Sequence, residues 1–202
     1  MDHQSGRPRS PDLRSKKSRY DEGFHFITMV TNKRVKAFRY KDTATKAVNT
    51  ILFYEKRGDF NLKGYIIMPD HIHMICEFLG SGRSPGPPDI TQTGSGGSPD
   101  LPSIIRDIKK YVAKETIRTL LTLDEEMLLT IRLSRQKKRG HIYQLWQPDY
   151  YDFNILTESK LNEKLEYMYE NPIRKGLCDN PFDYEFSDVK RYFGSGDPKL
   201  PL

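Results

Sequence analysis

Residues 60–78 of the chain read FNLKGYIIMPDHIHMICEF. This stretch contains two apolar runs rich in strand-favouring residues, at 60–68 and 72–78, and Pro69-Asp70 lies between them. Proline lacks the N–H group that a strand ladder needs, and the Pro-Asp pair favours a turn. The stretch therefore predicts two adjacent antiparallel strands joined by a short turn.

Five further elements are predicted around this pair from residue periodicity, composition and capping signals. In order, they are a strand at 24–31, a helix at 43–56, a helix at about 102–121, a strand at 141–147 and a helix that Thr157 caps and Pro172 ends nearby. The succession of strand, helix, strand, strand, helix, strand and helix indicates an α+β fold. It matches a ferredoxin-like split βαβ antiparallel sheet with an added C-terminal helix.

The length of 202 residues favours one domain with extensions. Residues 1–22 are basic and contain few apolar side chains, which predicts a disordered arm. The domain itself is predicted at 23–190. A flexible insertion rich in Gly, Ser and Pro interrupts it at 80–100, and residues 191–202 form a C-terminal tail.

Charge and cysteine content narrow the functional class. Lys and Arg outnumber Asp and Glu by 33 to 27, and the net charge of +6 attracts phosphate polyanions such as nucleic acids. Cys76 and Cys178 lie far apart without a CxxC pattern, which indicates neither a zinc finger nor a disulfide framework. No apolar run is long enough to cross a bilayer, and no signal peptide is evident. We expect a soluble cytoplasmic protein with no membrane partner, and nucleic acid is the partner to test.

The pair His71 and His73 is the sharpest chemical feature of the sequence. In a strand, residues i and i+2 project from the same face, so both imidazoles can converge on one divalent metal while Ile72 points to the apolar side. Two imidazoles leave coordination positions open for a third ligand, water and substrate, which suits catalysis. The same pattern also occurs by chance in strands, so the pair needs a partner elsewhere in the chain.

Tyr167 and Asn171 on the last predicted helix supply a candidate partner. Residues four apart share one helix face, which places a hydroxyl nucleophile beside an amide oxygen, a ligand for hard cations. Alternatively, Tyr167 is a partly buried aromatic residue and Asn171 ends the helix before Pro172. Tyr169 is the competing nucleophile, but two residues span about 200° of a helix, so only one of the two tyrosines can face the histidines.

Two groups of basic residues are candidates for nucleic-acid binding. The first is a stripe with one basic residue every four positions of a predicted helix: Arg106, Lys110, Lys114 and Arg118. The second is a cluster before the predicted strand at 141–147 and includes Lys137, Lys138 and Arg139. Both would raise affinity for a phosphate backbone without reading base sequence. A charge stripe is also typical of a solvated helix face, and Asp107 and Glu115 dilute this one.

Three blocks of the sequence resemble, in this order, a REP-associated tyrosine transposase of the HUH single-tyrosine superfamily. They are YIIMPDHIHMI at 65–75, WQPDYYD at 146–152 and YMYENPIRKGL at 167–177. The resemblance implies that His71 and His73 are paired metal ligands, that Asn171 is the third ligand and that Tyr167 is the nucleophile.

The chain departs from the family at two places. The family more often carries Asn where this chain has Asp70, whose carboxylate would either strengthen metal binding or cap the turn. It also more often carries Ser-Ser where this chain has Ser187-Asp188.

The resemblance further implies metal-dependent cleavage and strand transfer of single-stranded DNA through a 5′-phosphotyrosine, on hairpin-forming repeats of the REP type. The metal would be Mg²⁺ or Mn²⁺, with no nucleotide cofactor, and the protein a monomer or a homodimer. Two alternatives stay open. One is a non-catalytic module of the same fold that binds single-stranded nucleic acid, although the RRM signature is missing. The other is a metal nuclease that uses water in place of tyrosine.

Overall fold

The computed structural model of the protein describes residues 22–80, 100–132 and 142–194. Four strands form one antiparallel sheet in the order β2-β3-β1-β4. They are β1 (Glu22–Val30), β2 (Asn61–Met68), β3 (His71–Leu79) and β4 (Tyr151–Ile155). Helices connect β1 to β2 and β3 to β4, which confirms the predicted α+β fold with a split βαβ sheet.

Five α-helices lie within the described residues. They are α1 (Lys41–Arg57), α2 (Leu101–Leu123), α3 (Glu125–Thr130), α4 (Glu158–Arg174) and α5 (Val189–Phe193). The predicted cap of α4 is confirmed, because the Thr157 hydroxyl accepts from the Lys160 N–H at 3.2 Å. Pro172 does not end this helix at once. The helix continues to Arg174 and ends there, close to the proline as predicted, because the proline ring removes a hydrogen bond and clashes with the preceding turn.

The two faces of the sheet pack against different helices. One core contains Ile72 and Met74 together with apolar residues of α1 and α2. The other core contains Ile75 together with Leu165 and Met168 of α4. Alternation along β3 therefore directs Ile72 toward α1 and α2, and directs both neighbouring histidines toward α4, as the strand period predicts.

The predicted strand at 141–147 is wrong, and β4 lies later in the chain. Residues 142–147 form isolated bridges, among them one between Trp146 and Thr31, but no continuous ladder. Leu145 and Trp146 are both buried although they are consecutive, so this segment does not alternate as a strand does. The true β4 was missed because Asp152 and Asn154 interrupt its apolar pattern, and Asp152 instead bonds to buried His25 on β1.

Three predicted regions fall largely outside the described residues, namely the arm at 1–22, the insertion at 80–100 and the tail at 191–202. They stay predictions. None of the helices in the described ranges combines the length and the apolar character that a membrane span needs.

Candidate active site

The two histidines lie at the start of β3, next to the turn that follows β2, and beside the end of β1. His71 pairs with Val30 and His73 pairs with Thr28 across the ladder. Both side chains are buried, and their ring centroids are 4.6 Å apart with the ring planes at 78°. The strand thus places two imidazoles edge to face beneath α4, close enough for both to reach a common ligand.

Asp70 orients the first imidazole. Its Oδ1 accepts from His71 Nδ1 at 2.6 Å, and its Oδ2 accepts from the Arg34 guanidinium at 3.0 Å. Burial raises the pKa of the Asp70 carboxyl, but the hydrogen bonds and charges of His71 and Arg34 outweigh burial and lower it. The carboxylate therefore fixes the tautomer with Nδ1 protonated, which leaves the Nε2 lone pair of His71 free for a ligand.

Thr28 orients the second imidazole in a similar way. The Thr28 hydroxyl and His73 Nδ1 share a hydrogen bond of 2.8 Å, and the Phe26 ring stacks on the imidazole at 5.1 Å. Burial lowers the pKa of His73 to about 3, with the His71 charge acting in the same direction, so the ring is neutral at physiological pH. His73 Nε2 is buried and has no hydrogen-bond partner among the described residues. A buried imidazole nitrogen without a partner is compatible with a role as a metal ligand.

Tyr167 faces this pair from α4. Its ring centroid is 5.8 Å from that of His73 and 6.2 Å from that of Phe26, and the side chain is 40% exposed, so substrate can reach the hydroxyl. Tyr169 instead packs against β2, near Gly64. It is buried, and its hydroxyl donates to Asp188 Oδ1 at 2.8 Å. Burial and the Asp188 charge both raise the pKa of Tyr169. The helix geometry therefore leaves Tyr167 as the phenol of this pair that is presented to the histidines.

Asn171 lies one turn after Tyr167 and is buried, as the shared helix face predicts. Its Nδ2 donates to the Tyr167 carbonyl at 3.1 Å, which directs the amide nitrogen into the helix and leaves the amide oxygen as an acceptor. In the described part of the chain, no three side chains of the His, Cys, Asp or Glu type are grouped closely enough to hold a metal ion. The metal site of His71, His73 and Asn171 stays a prediction.

Two basic side chains beside Tyr167 were not predicted from the sequence. The Lys164 ammonium lies 5.9 Å from the Tyr167 ring centroid and 5.4 Å from that of Phe26. The Arg174 guanidinium lies 5.3 Å from the Tyr167 centroid. Lys164 precedes Tyr167 by three positions, and Arg174 follows it by seven. Both spacings place a side chain on the same helix face as Tyr167, so the sequence could have indicated them. Both cations lie against the ring of Tyr167, and Arg174 also forms an ion pair with Glu170.

Gly64 on β2 allows α4 to approach the sheet. A Cβ atom at this position would lie 2.8 Å from Met168 Cε, 2.8 Å from the Tyr169 hydroxyl and 3.0 Å from Leu165 Cδ2. These distances are shorter than van der Waals contact, so a larger residue would require these side chains or α4 itself to shift. The missing side chain thus allows α4 to pack closely on β2.

The four basic residues of the stripe on α2 lie in two different environments. Arg106, Lys110 and Lys114 line an open groove on the α2 side of the sheet, whereas Arg118 lies 3.6 Å from Glu115 in an ion pair along the helix. Lys137, Lys138 and Arg139 lie outside the described residues, so their role stays a prediction.

Comparison with solved structures identifies the fold. The chain superposes on a REP-associated tyrosine transposase bound to a REP hairpin with a TM-score of 0.56 and 17% identity, over 93% of this chain and 90% of that one. The chain has the fold of that transposase. A crystal structure from Deinococcus radiodurans R1 gives a weaker likeness, with a TM-score of 0.42 and 13% identity over 82% of this chain and 95% of the other.

Sequence comparison finds a relative of low identity. An uncharacterized protein of Haemophilus influenzae is 25% identical over 166 residues, which cover 75% of this chain and 81% of the relative. No protein-family model matches the chain. The structural likeness is therefore the more informative of the two, and it establishes the fold.

Proposed function

We propose that the protein is a REP-associated tyrosine transposase that cleaves and rejoins single-stranded DNA through Tyr167. The observation that carries this proposal is an accessible tyrosine whose ring centroid lies 5.8 Å from that of His73, a buried histidine whose Nε2 has no partner in the described part of the chain. The solved transposase of this fold is bound to a REP hairpin, which supports hairpin DNA as the substrate class here. The net charge of +6 fits a DNA partner and a location on the nucleoid.

The proposed reaction exchanges one phosphoester for another. The Tyr167 oxygen attacks the scissile phosphorus in line, the new O–P bond forms, and the bond to the 3′-oxygen breaks. The phenol proton passes to solvent, and the leaving 3′-oxygen takes up a proton to become a hydroxyl. Attack by a 3′-hydroxyl on the 5′-phosphotyrosine later reverses these steps and frees Tyr167. No nucleotide cofactor is required, because each step conserves the phosphodiester energy.

The residues around Tyr167 have distinct proposed roles. His71, His73 and Asn171 would hold Mg²⁺ or Mn²⁺, which supplies positive charge to a non-bridging phosphate oxygen. The Lys164 ammonium and the Arg174 guanidinium bind the remaining phosphate oxygens. They stabilise the negative charge that develops on the phosphate as the phenol attacks. Asp70 and Thr28 hold the imidazoles in the ligating orientation.

The test is covalent trapping. The protein is incubated with a single-stranded hairpin oligonucleotide and Mn²⁺, and adducts are resolved on denaturing gels and mapped by mass spectrometry. We expect a nucleotide-bearing Tyr167 peptide. The Tyr167→Phe variant should form no adduct, whereas Tyr111→Phe, which removes an exposed phenol of α2, should behave like the wild type.

Two results would contradict the proposal in different ways. Cleavage that survives Tyr167→Phe would indicate a nuclease that uses water. Hairpin binding without cleavage by the wild-type chain, with either metal, would indicate a module that only binds nucleic acid.

A further inference from the structure

We infer that a groove beside α2 holds single-stranded DNA that flanks the cleaved phosphate, an inference that rests on the proposed function. The groove has a volume of about 490 Å³ and lies between α2 and the extended segment 143–146. It combines a basic rim with an apolar floor. The residues that matter are Arg106, Lys110, Lys114, Ile117, Tyr143 and Trp146.

The rim offers cations at regular spacing. Arg106, Lys110 and Lys114 follow one another every four residues, so the α-carbons advance by about 6 Å per step along the helix. Lys110 and Lys114 are exposed. Lys109 is different, because its ammonium donates to the carbonyls of residues 147–149 at 3.0–3.3 Å and ties the groove wall to α2. The row of exposed cations is therefore available to a phosphate backbone.

The floor is rigid and apolar. The Trp146 indole N–H donates to the Lys109 carbonyl at 2.8 Å, which fixes the ring in the wall of the groove. Tyr143 and Ile117 are half-buried and leave part of their apolar surface open. Unpaired bases can pack against such a floor while their phosphates reach the cations, and double-stranded DNA cannot, since its bases are stacked inside the helix. Charge and shape together favour a single strand over a duplex.

The groove also connects to the active site through the end of the sheet. Trp146 pairs with Thr31, whose N–H donates to the Asp70 carbonyl at 2.9 Å. Asp70 in turn bonds to His71. The groove and the histidines therefore lie on opposite faces at the same end of the sheet, and one strand passing around this end can occupy both.

The test measures binding without chemistry, in the full-length chain carrying Tyr167→Phe. The probe is a fluorescent oligothymidylate, and its affinity is measured by anisotropy over a series of salt concentrations. Lys110→Gln with Lys114→Gln should lower the slope of log affinity against log salt by about 1.4, because each phosphate that a lysine neutralises on a single strand contributes about 0.7. Lys56→Gln with Lys190→Gln is the matched control, because it removes the same charge from exposed positions that do not line the groove.

A second variant probes the floor. Tyr143→Leu keeps every charge, so it should weaken oligothymidylate binding roughly tenfold without changing the salt slope. Equal slope changes in both lysine pairs would overturn the inference, as would undiminished binding by Tyr143→Leu. A blunt duplex that binds with the same dependence on Lys110 and Lys114 would overturn the assignment to a single strand.

Failure of the inference and failure of the proposed function are separable. If the wild-type chain forms no Tyr167 adduct but the salt slope responds to Lys110 and Lys114, the proposed chemistry is wrong and the groove stands. If the adduct forms normally and the groove variants bind like their controls, the groove alone is wrong.

Discussion

Gly64→Ala tests whether close packing of α4 positions the nucleophile. The added Cβ would lie 2.8 Å from Met168 Cε and from the Tyr169 hydroxyl, where ordinary contact begins at 3.4 Å. Met168 can rotate away, but Tyr169 cannot do so without losing its 2.8 Å hydrogen bond to Asp188. We therefore expect α4 to move outward by about 0.6 Å, the difference between these two distances.

The expected effects follow from this displacement. Overpacking of this kind costs about 1–3 kcal/mol of unfolding free energy. Tyr167 lies beside Met168 on α4 and moves with it, away from His73. Because misplacement by about 1 Å can cost about a hundredfold in rate, we expect adduct formation to slow roughly tenfold. Unfolding is followed in urea, and adduct formation is followed as single-turnover kinetics on the hairpin substrate.

The matched control is a double-mutant cycle with Tyr169→Phe, which removes the oxygen atom that the new Cβ would meet. Tyr169→Phe alone should cost about 1 kcal/mol of unfolding free energy, because its hydrogen bond to Asp188 is removed. In the double variant the cost of Gly64→Ala should shrink and the adduct rate should recover. Unchanged stability and an unchanged adduct rate in Gly64→Ala would refute the reasoning, and strict additivity would refute the role of Tyr169.

Two further predictions concern the carboxylates. Asp70→Ala should weaken Mn²⁺ binding about tenfold, measured by calorimetry, because His71 loses its orienting acceptor, whereas the exposed Asp149→Ala should have no effect. Asp188→Asn keeps an acceptor for the Tyr65 N–H and the Tyr169 hydroxyl and removes a buried charge. Burial raises the pKa of Asp188 in the folded state despite these hydrogen bonds. The contribution of the protonated carboxyl to stability is therefore fully present below the pKa of the unfolded state. It is lost as the pH rises through the pKa of the folded state. The stability of Asp188→Asn relative to wild type, measured in urea, should therefore increase from pH 4 to pH 7. The increase should be about 1.4 kcal/mol for each tenfold difference between the folded and unfolded acid dissociation constants, and a pH-independent difference would contradict this.

The sequence predicted the order of elements and the alternation along β3 because both depend on local periodicity. It predicted the wrong fourth strand for the same reason. Residues 142–147 have the composition of a strand but bury consecutive side chains, while β4 carries Asp152 and Asn154 in a pattern that only its pairing with β1 explains. The short helix α3 was also missed, since six residues present little periodicity.

The sequence by itself determined that His71 and His73 share one strand face and that Tyr167 and Asn171 share one helix face, since strand and helix periods are local properties of the backbone. Only the tertiary structure decided that these two faces meet. Their meeting depends on contacts between residues distant in sequence, in particular the approach of α4 to Gly64. The same packing buries Tyr169 and presents Tyr167 to the histidines. One helix cannot direct both tyrosine rings to the end of the sheet where the histidines lie.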